Sequence, residues 1–313
     1  MELTVNTVNF STKKFSWNTT LTLSHNKNSV KALTGEAVQL YEARFGFNQN
    51  THRIAVGEPL GQFYGYITEG LYQVDDFNYD ASTQTYTLKD GIPYHGDKGR
   101  IRPGMWKFKN LTGDDNVIDE NDKTVIGNAQ PKFYGGLNNS FTYKGFDLSI
   151  FLTFSYGNEV LNATKLVTSK VGSLNYNALD VMNSSNRWMT INSDGQKVTD
   201  PGELSALNAG KTVAAYHDAQ QGDNYIHSWA VEDASYLKLS NVTLGYTFPK
   251  NLIARVGLKN LRLYATGNNL LTWTKYSGFD PEVSTMKSGL TPGVDFGAYP
   301  LSRSFIFGLN VAF

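Results

Sequence analysis

The chain has no cysteine. That excludes disulfides, thiolate metal sites and cysteine nucleophiles, and it fits any redox compartment. No run approaches the roughly 18 consecutive apolar residues of a transmembrane helix, so none is expected. Net charge is missing too: Lys+Arg and Asp+Glu stand at 28 each, and no whole-chain field favours nucleic acid or an anionic surface. The opening "MELTVNTVNF" lacks the basic start and apolar run of a signal peptide. Aromatic residues are abundant instead, with 18 Tyr, 18 Phe and 5 Trp bringing their share to 13%. At 313 residues the chain is long enough for one large unit or two smaller ones.

The aromatic and aliphatic residues fall at every second position. In "FSWNTTLTLS", Phe15, Trp17, Thr19, Leu21 and Leu23 alternate with Ser16, Asn18, Thr20, Thr22 and Ser24. "FDLSIFLTFSY" sets Phe146, Leu148, Ile150, Leu152, Phe154 and Tyr156 on one parity. "LRLYATGNNLLTW" does the same with Leu261, Leu263, Ala265, Leu271 and Trp273. The last residues place Phe305, Phe307, Leu309, Val311 and Phe313 on one side, against Ile306, Gly308, Asn310 and Ala312 on the other. Period two means strands with one greasy face. Each segment is near the roughly 9–11 residues that a tilted strand needs to cross a bilayer. A mean hydropathy of −0.35 does not oppose this, because lumen-facing residues and long loops dilute the apolar face.

Connections alternate between short and long. "TKK" (12–14) and "KG" (144–145) are tight turns and "PKNLIARVGLKN" is a modest link, whereas 26–132, 157–235 and 275–302 are long. This pattern predicts an all-β fold: an antiparallel transmembrane β-barrel segment of about eight strands, with short periplasmic turns and long extracellular loops. Trp17 then falls near a periplasmic strand end and Trp273 near an outer one, where aromatic girdles belong. Leu148 and Leu309 are expected to face lipid, with Ser149 and Asn310 on the opposite side.

Few residues suggest chemistry. Asn110, Thr112, Asp114, Asp119 and Asp122 roughly follow the spacing of oxygen ligands in a calcium loop, although Asp115-Asn116 stands where a glycine would make the sharp turn. The competing reading is a solvated acidic loop without an ion. Trp106 and Trp188 are candidates to stack on sugar rings, or they pack the outer loops together, as is favoured for Trp229. The five histidines, His25, His52, His95, His217 and His227, are scattered. No HExxH, GxSxG or phosphate-loop motif occurs, so an enzyme is not expected. The mixed basic and aromatic stretches "NTHRIAVG" and "KGRIRPGMWKFKN" are a minor argument for nucleic acid in a chain with no known binding module.

Five stretches carry a family resemblance. "GEPLGQFYGYITEGLYQ" (57–73), "IGNAQPKFYGGLNNSFTYKGFDLSIFLTFSYGNEVLN" (126–162), "VEDASYLKLSNVTLGYTFP" (231–249), "YSGFDPEV" (276–283) and "GVDFGAYPLSRSFIFGLNVAF" (293–313) resemble the C-terminal part of SusC/RagA-type TonB-linked outer-membrane transporters of Bacteroidetes. The resemblance implies a barrel of about 22 strands around a plug. It also implies import of oligosaccharides or peptides across the outer membrane, driven through TonB and shared with a SusD-like surface lipoprotein. Phe305, Phe307, Leu309, Val311 and Phe313 would then be the signal read by the barrel-assembly machinery. The signal peptide, carboxypeptidase-like domain, TonB box and plug of the family are not among residues 1–313, so the chain is expected to be the C-terminal part of the barrel. The alternatives are an independent small outer-membrane or soluble β-barrel binding protein and, more remotely, an enzyme acting on extracellular glycans.

Overall fold

The computed structural model describes residues 1–313 apart from 36, 43–48, 114, 170–176, 216–224 and 286–287. Seven long strands form one antiparallel sheet in which every strand pairs with its sequence neighbour. They are β1 (Glu2–Ser11), β2 (Phe15–Ser24), β3 (Phe133–Tyr143), β4 (Phe146–Tyr156), β5 (Tyr236–Thr247), β6 (Asn260–Thr274) and β7 (Ser304–Ala312). The expected number was about eight. Three short and three long connections join seven strands, and each connection lies where the sequence places it.

Local chemistry explains the short connections. Lys144 and Gly145 both adopt positive φ (46° and 92°), the arrangement of a two-residue turn whose twist matches the flanking strands. In the 12–14 turn, the Thr12 hydroxyl accepts from the Phe15 amide at 3.0 Å and its own amide donates to the Phe15 carbonyl at 2.8 Å. The third link is a helical turn, Lys250–Ile253, that buries Ile253 and stops at Gly257 in the left-handed conformation. All three lie at one end of the sheet, and the three long connections at the other.

Register assigns the faces. Val5, Leu21, Leu137, Leu152, Leu239 and Leu271 stand directly opposite one another across six strands. A second row runs Trp17, Phe141, Leu148, Leu244, Ala265, Phe307. In β5 the parity changes at Ser240, where a bulge keeps Leu237 and Leu239 on the same face as Val242 and Leu244. The opposite face is a ladder of hydroxyls and amides. Ser16 meets Thr142 at 2.6 Å, Ser149 donates to Asn138 at 3.0 Å, Thr243 meets Thr266 at 2.9 Å and Asn241 donates to Asn268 at 2.7 Å. Leu148 and Leu309 therefore lie on the apolar face and Ser149 on the polar one, as expected.

The long connections are not the structureless loops that strand spacing alone suggests. They carry a four-stranded sheet (Thr124–Asn128, Gln62–Gly65, Asn50–Ala55, Val38–Glu42) and a three-stranded one (Val231–Asp233, Glu159–Asn162, Val294–Asp295). They also hold the hydrophobic core. Phe63, Leu161, Leu166, Ile226 and Val294, drawn from all three connections, pack into one sealed cluster. Tyr66, Trp106, Phe108, Trp188 and Leu204 form a second. Each such side chain, fully buried, contributes about 1.5–3 kcal/mol. Trp188 closes onto Gly104, whose φ is +87° and where a Cβ would lie 2.4 Å from the indole ring. That position therefore requires glycine twice over, for backbone and for space.

Candidate functional site

The sheet presents one apolar surface bounded by aromatic residues at both ends. At the tight-turn end, Trp17 stacks on Phe141 (5.6 Å between ring centroids), and its indole N–H donates to Asn139 Oδ1 at 2.9 Å. Phe146 and Tyr246 meet beside them at 4.5 Å. At the other end, Phe133 stacks on Tyr156 at 4.9 Å, and Trp273, half exposed, stands opposite Leu237. Trp17 and Trp273 thus lie at opposite ends of one apolar band. Phe305, Phe307, Leu309 and Val311 continue that band on β7, opposite Gly267, Ala265, Leu263 and Leu261. Phe313 follows the strand and is exposed.

Above the sheet, polar clusters tie the 275–302 connection to its surroundings. Lys238 lies on the polar face of β5 and is buried; its ammonium pairs with Glu282 and lies 3.5 Å from Asp280. The Tyr236 hydroxyl donates to the other Glu282 oxygen at 2.5 Å. Glu232 accepts from the Ser277 amide (2.9 Å) and hydroxyl (2.8 Å) and pairs with Lys165 at 3.1 Å. Burial alone would raise its carboxyl, but Lys165 and Ser277 outweigh that and hold it below the usual carboxylate range. Tyr276 is buried and donates to Asp295 at 2.7 Å; burial and then that carboxylate push its phenol well above normal.

His52, in the 26–132 connection, forms a further tie. Burial takes its imidazole down to about 4, against the smaller opposing effect of its bond to the Pro292 carbonyl. It is therefore neutral near pH 7, its Nε2–H donating to that carbonyl at 2.9 Å while Nδ1 lies 2.8 Å from the Thr51 hydroxyl. Lys238 in "YLKL" and the carboxylates of "YSGFDPEV" are more than forty positions apart, so local pattern does not join them. A lysine on the polar parity of a strand end was the available signal, since such a charge needs an acidic partner.

Asn110, Thr112, Asp119 and Asp122 do come together, whereas Asp114 lies outside the described residues. Asp122 is fully buried, and its carboxylate accepts from the amides of Leu111 (2.6 Å), Thr112 (2.8 Å) and Asp119 (2.8 Å) and from the Thr112 hydroxyl (3.2 Å). Burial raises this carboxyl, but the backbone donors prevail and its titration falls below normal. Asp119 caps the following turn through the Asn121 amide at 2.8 Å. Among the described residues, no group of three or more His, Cys, Asp or Glu is placed to hold a metal ion.

The two tryptophan candidates for sugar stacking are corrected by burial. Trp188 is 1% exposed and Trp106 8%, so neither has a face open to a sugar ring. Trp106 instead packs against His227 at 5.0 Å and Trp229 at 4.9 Å, and Trp188 covers Gly104. An amphipathic ring in a region dense with apolar neighbours is worth more sealed than presented.

Comparison with known proteins places this geometry. No protein-family model matches the chain. It is 32% identical over its whole length to the TonB-dependent receptor P3 of Formosa agariphila and 30% identical over 96% of its length to receptor P39 of the same organism. It is also 27% identical over its whole length to the TonB-dependent receptor SusC of Bacteroides thetaiotaomicron. These matches span 28%, 29% and 26% of those receptors, so the chain covers less than a third of the length of these relatives. The solved RagAB peptide transporter superposes on the whole chain with a TM-score of 0.67 at 19% identity, using 29% of the matched chain, which supports the fold.

Proposed function

Because the chain is a barrel portion of a SusC/RagA-type TonB-dependent receptor of the outer membrane, we propose that the complete receptor imports a nutrient, an oligosaccharide or a peptide, with energy delivered through TonB. The observation that carries this reading is the one-sided band: six directly opposed apolar residues across six strands, backed by a hydrogen-bonded polar face. A sheet with that asymmetry separates lipid from a wet lumen. The tight turns face the periplasm. The three long connections, with their own core, form the outer vestibule on which a SusD-like lipoprotein docks. We further propose that the alternating row Phe305, Phe307, Leu309, Val311 and Phe313 is read by the barrel-assembly machinery, and that the receptor has no catalytic activity.

The test is a fractionation and uptake experiment on the native receptor. An antibody against the 157–235 connection should detect a band several times larger than 34.8 kDa in the outer membrane. Uptake of the cognate nutrient should be lost when TonB is deleted. A 34.8 kDa product in the soluble fraction would retire the import reading in favour of a small binding protein. Removing Phe313 should lower the amount of receptor in the outer membrane, and unchanged levels would remove its assembly role.

A further inference from the structure

A cavity of about 480 Å³ opens between the helix that follows β4 and the 275–302 connection. That volume lies within the range of small-ligand sites. Its apolar wall includes Leu179, Val181 and Phe279. Phe279 is 80% exposed, although Tyr276 and Asp280 on either side are buried at 5% and 8%. Its backbone is therefore held by the two flanking anchors, Tyr276 on Asp295 and Asp280 beside Lys238, and the ring is presented outward. The ring therefore lines the cavity and is free on its outer face to meet a ligand.

The charges of the cavity are unequally spent. Lys165 is the one cation among its described lining residues, and it is neutralised by Glu232 at 3.1 Å while donating to the Trp229 carbonyl at 3.0 Å. Asp295 accepts from the Tyr276 hydroxyl and, at 3.2 Å, from the Ala298 amide. Asp180 is exposed, and its carboxylate has no hydrogen bond or ion pair among the described residues. The Asn186 amide group is likewise unpartnered among them. Among the described lining residues, the side chains left free for a ligand are one carboxylate, one amide and an aromatic face.

We propose that this cavity is a subsite for a cationic, partly apolar peptide segment. Asp180 supplies the counter-charge, the Phe279 ring takes the apolar stem and the ammonium or guanidinium above it, and Asn186 pairs with a peptide group. An oligosaccharide fits less well, because its many hydroxyls need more free donors and acceptors than two side chains provide. An acidic peptide is excluded by the sign of the one unspent charge. The subsite rests on the import reading only for its biological use, because binding itself is measurable without transport.

The test uses the full-length receptor purified in detergent, with three probes: a fluorescein-labelled Lys-Leu-Lys tripeptide, an equally labelled Glu-Leu-Glu tripeptide and maltoheptaose. The basic tripeptide should bind most tightly. Asp180→Asn should weaken it about three- to fivefold, in a salt-dependent way. Phe279→Ala should weaken it by a similar factor, about threefold or more. Both side chains are exposed, so neither change threatens the fold. Preference for the acidic tripeptide or for maltoheptaose, or binding indifferent to both variants, overturns the subsite. Variant-sensitive binding without TonB-dependent uptake retires the import reading and leaves the subsite standing. Uptake with indifferent binding does the reverse.

Discussion

The seven-stranded sheet and the connections above it treat large apolar side chains in opposite ways. In the sheet, Phe133, Phe146, Leu244 and Leu263 remain between 38% and 50% exposed, although every strand between β1 and β7 is paired on both edges. In the connections, Phe63, Phe108, Leu161 and Trp188 are at most 1% exposed. The same residue types are sealed in one region and displayed in the other. In water the first arrangement would be an aggregation hazard. It is stable when the exposed band meets hydrocarbon, where display costs nothing and backbone pairing is obligatory. The connections stand in water and must enclose their own core, so they behave like a soluble domain carried on a membrane wall.

The sharpest way to break this contrast is Trp188→Ala. Emptying a fully buried indole site should cost about 3–5 kcal/mol, read as loss of hydrogen-exchange protection in the outer body while the heat-modifiable gel mobility of the barrel stays unchanged. If barrel mobility also changes, the two regions are one cooperative unit and the contrast fails. The mirror experiment is Ile150→Arg, on the apolar face between Asn139 and Val242. Near the midplane it should impair insertion by about 2–4 kcal/mol, measured as folded fraction in lipid vesicles, and leave the outer body's exchange pattern intact.

Acid should separate the regions more gently. Burial lowers the folded-state pKa of His52 to about 4 from an ordinary 6.5. The unfolded chain therefore binds the proton first. The contribution of neutral His52 is complete above pH 6.5 and drains away as pH falls toward 4, reaching about 3 kcal/mol in all. Amide protection factors around Pro292, taken relative to the intrinsic exchange rate at each pH, should fall between pH 7.5 and 4.5, and in a His52→Gln variant that fall should disappear. The smallest effect belongs to the polar face. Ser149→Ala removes one bond to Asn138 in a wet environment and should cost about 0.5–1.5 kcal/mol, visible only as a modest shift in the denaturation midpoint of the refolded receptor.

How far the sequence was legible follows from the range of the interactions. Strand parity, the tight turns and the family resemblance were all present in local pattern, down to the faces of Leu148, Leu309 and Ser149. The expectation of about eight strands is met by seven in one sheet. The body above the sheet was read as plain loop because its strands are as short as two residues, Val294–Asp295 among them. Two residues carry no period. Trp106 and Trp188 looked presentable for the same reason, since nothing in their neighbours along the chain announced His227, Trp229 or Gly104 beside them.

By itself, then, the sequence determined the wall. A strand in a sheet alternates its side chains whatever its partners, so period two and a lysine-glycine turn suffice to say which residues meet lipid and where the chain reverses. Only the tertiary structure decided the vestibule: that Lys238 answers Asp280 and Glu282 across more than forty positions, that His52 holds Pro292 across 240, and that Phe279 stands exposed between two buried neighbours. Those pairings are set by how three long segments fill one space, and packing of that kind leaves no periodic trace along the chain.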